Sequence, residues 1–520
     1  MGSTAFFRRL FLLLALSLPA LLAPSAAALG QDGTLADFRR LFPRFKESAD
    51  RVEAIKALKG LESPELVEVL TPLLLDGDTK VADAARGILA GFKTPAPVES
   101  LFQRALVEKK LELRAALLWA AAEGRYPPPE AALEKLSKWL TDKQWTLRRR
   151  VLQLLAPHAD EAGLNALLPL LSDPEPAVRI SAFDALAERR HAPLLEPALA
   201  ALSDPDWQVR ASAITALVPL RDKRSVGPLI DCLLREEGRL REDAVKALRR
   251  LTGRDFGLDG PAWKRFWDGM GERFELPTEE ELQKREAARA EERAKYSGSP
   301  SFLGVDTPSR SILFVIDVSG STETLFVNRA PFGDKVYPSW SRMDVVKTEL
   351  KATVLALDEN TRFEVVAFAG EVIPWRKQLV PANKLQRLAA VEWIDKLQPI
   401  GGQPNEDMAR AGIAPSPEQL KLGKTNTFGA LMYSIGARDA AGKPVPEGGY
   451  RLEVDTVYFL SDGQPSVGEF TDPDDIRKEV AKANELRRVV IHVIGMGQFQ
   501  KRWMGDVARD SGGQFIDLGW

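Results

Sequence analysis

The C-terminal half of the sequence carries oxygen-bearing side chains directly after apolar runs. Asp317, Ser319 and Ser321 follow a β-branched and aromatic run at residues 312–316, and Asp462 follows the run TVYFLS. Carboxylate and hydroxyl oxygens are hard ligands of the kind that Mg²⁺ and Mn²⁺ take in proteins. The two aspartates could instead act as a paired general acid and base, but a metal ion between them explains both more simply. We therefore expect a hard-metal site built from strand ends.

Alternating strands and helices must position these side chains. From residue 312 onward, strand-like and helix-like strings follow one another, which is typical of a mostly parallel sheet with helices on both faces. In such doubly wound, Rossmann-like sheets, ligands bind at the carboxyl ends of strands, where Asp317 and Asp462 lie. Beyond the first strand we predict strands at RFEVVAFA, DTVYFLSDG and VVIHVIGMG, and helices at MDVVKTELKATVLAL, LQRLAAVEWIDKL, TFGALMYSIGA, DDIRKEVAKANEL and RWMGDVARDSG.

Three motifs in this region carry a family resemblance. The strings DVSGS, KTNTFGAL and YFLSDG, in this order within residues 309–520, resemble the von Willebrand factor type A (VWA) domain. The resemblance implies a metal-ion-dependent adhesion site, which that family builds from an Asp-x-Ser-x-Ser loop, a threonine and a later aspartate. Thr427 competes for the threonine position, and the first threonine of TNTFGAL is preferred. The implied ligands in this sequence are Asp317, Ser319, Ser321, Thr425 and Asp462.

The implied ligand set favours magnesium. Two carboxylates and three hydroxyls are too few and too neutral to enclose calcium, but they suit Mg²⁺ that keeps some of its water, with Mn²⁺ as a substitute. The resemblance implies one open coordination position, which an acidic side chain of a partner protein takes. In a partly dry cleft, attraction between that carboxylate and the metal is much stronger than a surface ion pair.

Two departures from the family pattern lie close to the predicted metal. Thr322 stands where many relatives have methionine, and an insertion at residues 323–341 follows it. A second insertion, residues 403–424, precedes the threonine string. Each insertion is expected either to form the rim where partners are recognised or to be a loop without a contact role. The open coordination position could also be filled by an acid of the insertions themselves: Glu323, Glu406 or Asp407.

A repeat fills the N-terminal half. Arg148, Arg179, Arg210 and Arg241 are each 31 residues apart, and small or apolar residues recur three, six and seven places after each arginine. This spacing places the small and apolar residues on one face of a helix, which is the pattern of a helix that packs against a neighbour on that face. Each such helix follows a second apolar helix, and units this short must stack into an α-solenoid to bury their apolar faces. The pattern resembles the short HEAT repeats across residues 35–255, which implies a scaffold without catalytic residues.

The remaining features of this half have structural interpretations. We expect the repeated arginine to tie adjacent turns together through hydrogen bonds to the preceding Asp-containing loop, and Trp263 and Trp267 to cap the last apolar face. The charged string TEEELQKREAARAEERAKY, opened by a capping box at Thr278 and Glu281, predicts a solvated helical spacer. The predicted divisions are a signal peptide at 1–28, a HEAT-like solenoid at 35–275, a linker at 276–308 and a VWA domain at 309–520.

The N-terminus predicts export. Arg8 and Arg9 precede an apolar run at residues 10–22 and then small residues through Ala28, which is the plan of a secretory signal cleaved near Ala28. The run is shorter than the ~20 residues that a membrane span needs, and an uncleaved anchor is the alternative. No later stretch is long and apolar enough to cross a membrane. We therefore expect a location in the periplasm, the cell envelope or outside the cell.

The composition, and motifs that are present only in part, exclude several function classes. The 71 basic and 73 acidic side chains among 520 residues show no basic excess that would recommend a nucleic-acid partner. One cysteine and three dispersed histidines exclude disulfide scaffolds and local zinc motifs. Glu418 stands where a P-loop before Thr425 needs its leading glycine, and His492 lies in an apolar strand as a core histidine would. An enzyme is not expected.

Together these features predict an exported, non-enzymatic adaptor. Its VWA domain is expected to bind a partner protein through Mg²⁺, and its solenoid to offer a second binding surface. No nucleic-acid partner and no transmembrane segment after signal cleavage are expected. The alternatives are a VWA subunit of a metal-assisted enzyme complex, and a structural envelope protein whose metal site only stabilises the fold.

Overall fold

The chain divides into two compact units, Met1–Pro129 and Glu130–Trp520. The structure is a computed structural model, and it describes residues 26–285, 308–326, 329, 332–333, 335–400, 424–445, 454–461, 464–496 and 501–518. Most of the predicted signal peptide and most of the predicted linker lie outside the described residues. Among the described helices, none combines the length and the apolar character that crossing a bilayer requires.

The first unit consists of helices that pack in pairs. Two of them begin with a proline, Pro64 and Pro95. Proline is well tolerated there because an N–H in the first turn of a helix has no acceptor within the helix. The Asp78 side chain accepts a hydrogen bond from the Lys80 amide and so caps another helix. Apolar side chains such as Leu66 are fully buried. The helices are α1 (Ala26–Leu41), α2 (Ser48–Lys56), α3 (Pro64–Leu70), α4 (Thr79–Leu89), α5 (Pro95–Val107) and α6 (Leu111–Glu123).

The second unit opens with further paired helices. The helix that carries each repeated arginine buries most of its apolar residues, as Val178, Ala182 and Leu186 show, because it is covered by the helices on either side. These helices are α7 (Glu130–Trp139), α8 (Trp145–Leu155), α9 (Glu161–Leu167), α10 (Pro176–Glu188), α11 (Leu195–Ala201), α12 (Trp207–Leu220), α13 (Val226–Arg235), α14 (Arg239–Thr252) and α15 (Gly260–Met270). Short 3₁₀ turns in the two units lie at Phe42–Arg44, Thr71–Leu75, Ala156–His158, Leu168–Ser172, Ala192–Leu194, Lys223–Ser225 and Gly271–Arg273.

The repeated arginine ties successive turns together, as predicted. The Arg179 guanidinium donates to the backbone carbonyl of Asp173 in the preceding loop at 2.8 Å. It also donates to both carboxylate oxygens of Asp204 in the following loop, at 3.0 and 2.8 Å. Arg148 repeats this arrangement with Asp173 one unit earlier. Arg148 and Arg179 therefore each join two loops, by donating to a backbone carbonyl of the preceding loop and to an aspartate carboxylate of the following loop.

The expected cap and the expected capping box are both present. Trp263 is fully buried and meets the Phe256 ring edge-on at 5.0 Å, while α15 covers α13. The Thr278 amide donates to Glu281 Oε2 at 2.8 Å, and the Glu281 amide donates to Thr278 Oγ1 at 3.3 Å. A helix follows at residues 279–285.

The rest of the second unit is a sheet with helices on both faces. In the described residues seven strands run in the order β3-β2-β1-β5-β6-β7, with β4 beside β2. The pairs β1/β2, β1/β5, β5/β6 and β6/β7 are parallel, and β3 and β4 pair with β2 in the antiparallel sense. The mostly parallel sheet is thus confirmed. The strands are β1 (Ser311–Asp317), β2 (Arg362–Phe368), β3 (Val372–Pro374), β4 (Val380–Pro381), β5 (Thr456–Ser461), β6 (Val490–Gly495) and β7 (Phe515–Asp517).

Alternate residues of the strands enter two different cores. Phe314 belongs to the core that contains Leu350 and Ile394. Val315 belongs to the opposite core, with Leu431 and Val507. Burial on both faces explains why the central strands are continuous apolar runs. The covering helices are α16 (Arg342–Ala356) and α17 (Lys384–Lys396) on the first face, and α18 (Thr427–Ser434), α19 (Pro473–Asn484) and α20 (Lys501–Asp510) on the second.

The helices of the second unit contact the amino-end edge of this sheet. Lys246 Nζ donates to the carbonyl of Gly512, which precedes β7, at 3.1 Å. The Arg239 side chain donates to the carbonyl of Arg488, which precedes β6, and Arg488 forms an ion pair with Asp184. Asp317, the last residue of β1, lies at the other, carboxyl-end edge.

Candidate functional site

Asp317 is the last residue of β1 and is fully buried. Its register partner is Phe368 at the end of β2, so the two central strands end together. Two hydrogen bonds orient its carboxylate: the Ser319 amide donates to Oδ1 at 2.9 Å, and Ser461 Oγ donates to Oδ2 at 2.7 Å. These two hydrogen bonds, one to each oxygen, fix the orientation of the carboxylate at the end of β1.

The two serines of the DVSGS loop lie side by side. Ser319 Oγ is 3.1 Å from Ser321 Oγ. Neighbouring ligands in an octahedron with bonds of about 2.1 Å lie about 3 Å apart, so this separation fits a shared Mg²⁺. Ser319 is buried and Ser321 is exposed, on the 3₁₀ turn Gly320–Glu323. Thr322, the departure from the family pattern, is buried, and its Oγ1 donates to the Ser319 carbonyl at 2.7 Å.

Thr425 lies in the loop before α18 and is buried. The next residue, Asn426, donates its amide to the Ala369 carbonyl at 2.8 Å, directly after the end of β2. This contact places the threonine segment at the same edge of the sheet as Asp317. The competing Thr427 lies inside α18, fully buried, and its Oγ1 has no hydrogen-bond partner in the described residues.

The fifth predicted ligand, Asp462, lies outside the described residues. It follows Ser461, the last residue of β5, which pairs in parallel with β1 through Leu460 and Ile316. In the described residues, no group of three His, Cys, Asp or Glu side chains is arranged to hold a metal.

The insertion at 323–341 is anchored to the core where it is described. The Phe326 amide donates to the Trp340 carbonyl at 2.8 Å, which closes the base of the insertion. Tyr337 is buried and donates to Glu349 Oε1 at 2.6 Å. Glu323 and Val336 are exposed, Val336 at 89%. The other two acids named as possible blockers of the site, Glu406 and Asp407, lie outside the described residues.

Two buried titratable groups lie away from this edge. His492 is 1% exposed, as a core histidine should be, and burial lowers its pKa to about 4. Its Nδ1 accepts a hydrogen bond from the Gln514 amide at 3.1 Å, while Nε2 has no partner in the described residues. Glu364 on β2 is also buried, and desolvation raises its pKa to about 8. The sequence RFEVVAFA alone did not indicate that Glu364 is buried, because a glutamate at this position of a strand could equally face the solvent.

Two further residues of the site were missed by the sequence analysis. The first is Ser461, whose hydroxyl donates to the Asp317 carboxylate. The second is Ser466, which forms two hydrogen bonds with Thr425. The Thr425 amide donates to Ser466 Oγ at 2.9 Å, and the Ser466 amide donates to the Thr425 carbonyl at 3.0 Å. Both serines flank the predicted ligand Asp462 in sequence. Their place in the string SDGQPS was the available signal, but serine in a loop is too common to be informative.

Comparison with known proteins bears on both parts of the chain. The HEAT repeats family matches residues 133–199 and 195–255. The chain is 29% identical over 194 residues to inter-alpha-trypsin inhibitor heavy chain H2 of Homo sapiens, a match that covers 37% of this chain and 16% of that protein. It is 26% identical over 213 residues to heavy chain H4 of Homo sapiens, covering 40% of this chain and 18% of that protein. The chain thus spans less than a fifth of the length of these relatives.

One solved structure is a von Willebrand factor type A protein from Catenulispora acidiphila, at a TM-score of 0.27 and 15% identity, over 41% of this chain and 39% of that one. The mostly parallel sheet and the position of Asp317 at the end of a strand are those expected from the sequence. The chain therefore has HEAT repeats followed by a mostly parallel sheet that carries the three motifs by which it resembles VWA domains.

Proposed function

We propose that this protein is an exported, non-enzymatic adaptor that binds a partner protein through Mg²⁺ in its VWA domain, with Mn²⁺ as a substitute. The proposed ligands are Asp317, Ser319, Ser321, Thr425 and Asp462. The observation that carries the proposal is the buried Asp317 carboxylate at the end of β1, next to two serine hydroxyls 3.1 Å apart. A bound ion would supply a positive charge able to attract an acidic side chain of the partner.

Hydrogen bonds within the chain orient the Asp317 carboxylate at this edge, and one of the proposed ligands is exposed there. The hydrogen bonds from the Ser319 amide and Ser461 Oγ hold the Asp317 carboxylate in one orientation. Ser321 is exposed, so the site reaches the protein surface. The contacts of Arg239 and Lys246 lie at the opposite edge of the sheet, so these two side chains do not compete with a partner for the carboxyl-end edge.

The repeats support the adaptor part of the proposal. Stacked helix pairs give an extended surface, and repeat proteins of this kind use such surfaces for binding. The matched relatives are named as chains of a trypsin inhibitor, which favours protein binding over catalysis. The signal-like residues 1–28 support export.

Metal titration tests the site directly. The full chain, freed of divalent ions by chelation, is titrated with Mn²⁺ by calorimetry, and the same is done for Asp317→Ala. The control is Asp474→Ala, which removes an exposed aspartate in the first turn of α19. We expect binding by the wild type and the control, and none by Asp317→Ala. Absence of Mn²⁺ and Mg²⁺ binding by the wild type would overturn the proposal.

A capture experiment then separates recognition from stabilisation. The three proteins are immobilised and incubated with an extract of the source cells, with Mg²⁺ or with chelator. A partner that is retained only with Mg²⁺, and only by the wild type and Asp474→Ala, supports metal-dependent recognition. Unchanged retention by Asp317→Ala together with a lower melting temperature would instead show a purely structural metal site.

A further inference from the structure

We infer that Ser461 and Ser466 are positioning residues, which hold the Asp317 and Thr425 segments in the arrangement that the metal requires. The inference rests on the proposed metal site and extends it to residues that do not bind the ion. Ser461 is the last residue of β5 and Ser466 lies in the segment that follows, and the predicted ligand Asp462 comes between them in sequence. One segment would thereby supply a ligand and fix the two others.

Ser461 acts on the first ligand segment. Its Oγ donates to Asp317 Oδ2 at 2.7 Å, and both residues are fully buried. The other carboxylate oxygen, Oδ1, accepts a hydrogen bond from the Ser319 amide at 2.9 Å. With a hydrogen bond on each oxygen, rotation of the carboxylate about its Cβ–Cγ bond is restricted. An alanine at 461 would remove this donor from Oδ2 and so weaken the restraint on the orientation of the carboxylate.

Ser466 acts on the second ligand segment. It is joined to Thr425 by two reciprocal hydrogen bonds, from the Thr425 amide to Ser466 Oγ at 2.9 Å and from the Ser466 amide to the Thr425 carbonyl at 3.0 Å. The first of these bonds needs the serine side chain, whereas the second does not. Replacement by alanine would therefore release one end of the Thr425 peptide while the chain path is kept.

A third contact brings the same segment against the residue after Thr425. Gly468 has φ +116°, and a Cβ at this position would lie 2.3 Å from Asn426 Oδ1. Asn426 in turn caps α18, because its Oδ1 accepts the Gly429 amide at 2.9 Å. The segment after β5 thus contacts the Thr425–Asn426 peptide from two positions.

Such positioning matters because the three ligand segments come from distant parts of the chain. Mg²⁺ demands near-ideal octahedral geometry, so ligands must be held to within about 0.5 Å. Loss of an outer hydrogen-bond partner of a metal ligand typically weakens metal binding about 10- to 100-fold. We expect losses in this range when either serine hydroxyl is removed.

The experiment is a Mn²⁺ titration of the full chain by calorimetry. The variants are Ser461→Ala, Ser466→Ala and Ser466→Thr, the last of which keeps a hydroxyl at an exposed position. The matched control is Ser434→Ala, which removes another fully buried serine hydroxyl, one that donates to the Leu431 carbonyl at 2.7 Å within α18. Melting temperatures of all variants are measured in chelator.

We expect the Kd for Mn²⁺ to rise about 10- to 100-fold in both serine-to-alanine variants at 461 and 466, and to stay near the wild-type value in Ser466→Thr and Ser434→Ala. Alanine variants that bind within about twofold of the wild type would overturn the inference, as would an equal loss in Ser434→Ala. If the wild type itself binds no Mn²⁺, the proposed function fails, which is a different result from the failure of the two serines.

Discussion

Arg149 in the helical repeats and Glu485 at the end of α19 form an ion pair, with 3.0 Å between Arg149 Nη2 and Glu485 Oε2. The Arg149 side chain is 2% exposed, and its Nε also donates to Ser181 Oγ in the next repeat at 2.9 Å. A buried guanidinium is tolerated only when its donors are paired. This arginine therefore links two repeats and a helix of the C-terminal sheet domain at a single point.

Arg149→Ala is expected to destabilise the second unit strongly, because it leaves a cavity and removes partners from Ser181 and Glu485. Breaking a buried pair typically lowers the free energy of unfolding by about 3–5 kcal/mol, and we expect the lower end because Glu485 keeps some contact with water. The measurement is the urea midpoint. The control Arg509→Ala removes an arginine that is 72% exposed and should change it little. Equal effects of the two substitutions would contradict the role given to Arg149.

The repeated arginine predicts a second effect on stability. Arg179 donates to both oxygens of Asp204 and to the Asp173 carbonyl, and a lysine cannot reproduce this fork. We expect Arg179→Lys to lower the free energy of unfolding by about 2 kcal/mol, the scale of a hydrogen bond to a charged group. The control is Arg224→Lys, at an arginine that is 62% exposed. A thermal melt that shows no difference between the two variants would count against the linking role of Arg179.

Glu364 predicts a pH dependence of stability. Burial raises its pKa to about 8 in the folded protein, above the ordinary value of 4.5 that applies when the chain is unfolded. Between these two values the folded state retains a proton that the unfolded state has released. Stability from this group is thus complete below about pH 4.5 and falls as the pH rises toward 8, by up to roughly 1.4 kcal/mol per pH unit.

Glu364→Gln mimics the protonated acid and should remove this slope. We expect the variant to melt at a higher temperature than the wild type at pH 8 to 9, with a much smaller difference near pH 5. The control Glu392→Gln changes an exposed glutamate and should follow the wild type at every pH. A melting temperature that falls equally with pH in Glu364→Gln and the wild type would show that another group is responsible.

The sequence was informative where structure depends on neighbouring residues. The spacing of the repeated arginines located the helices from Trp145 to Thr252, and the capping box at Thr278 formed as expected. Strands β1, β2, β5 and β6 were visible because burial on both faces requires continuous apolar runs. Strands β3, β4 and β7 have only two or three residues each, too few to show a pattern.

Contacts between segments that are distant in the sequence could not be predicted from such local patterns. The DVSGS loop and the threonine string were identifiable as separate motifs, and their meeting at one sheet edge followed from the parallel topology. The hydrogen bond from Ser461 to Asp317 and the pair formed by Arg149 and Glu485 depend on register and docking, which no local pattern encodes. Glu364 was missed for the same reason, because the neighbours that bury it come from other elements.

Gly468→Ala tests the contact between the segment after β5 and the threonine segment. Gly468 has φ +116° and Gly442 has φ +80°, so alanine is strained at both positions, by about 1–3 kcal/mol. At Gly442 an added Cβ meets nothing within 4 Å, whereas at Gly468 it would lie 2.3 Å from Asn426 Oδ1. Both variants should therefore melt at lower temperature, but only Gly468→Ala should also displace Asn426 and with it Thr425.

The distinguishing measurement is Mn²⁺ affinity. We expect Gly468→Ala to bind Mn²⁺ at least about tenfold more weakly than the wild type, as for loss of an outer partner of a ligand, while Gly442→Ala keeps the wild-type Kd despite its lower melting temperature. Because backbone strain is common to the two variants, a difference in affinity between them reports the contact with Asn426 alone. Equal Mn²⁺ affinities in the two variants would mean that the Thr425 segment keeps its place without this contact.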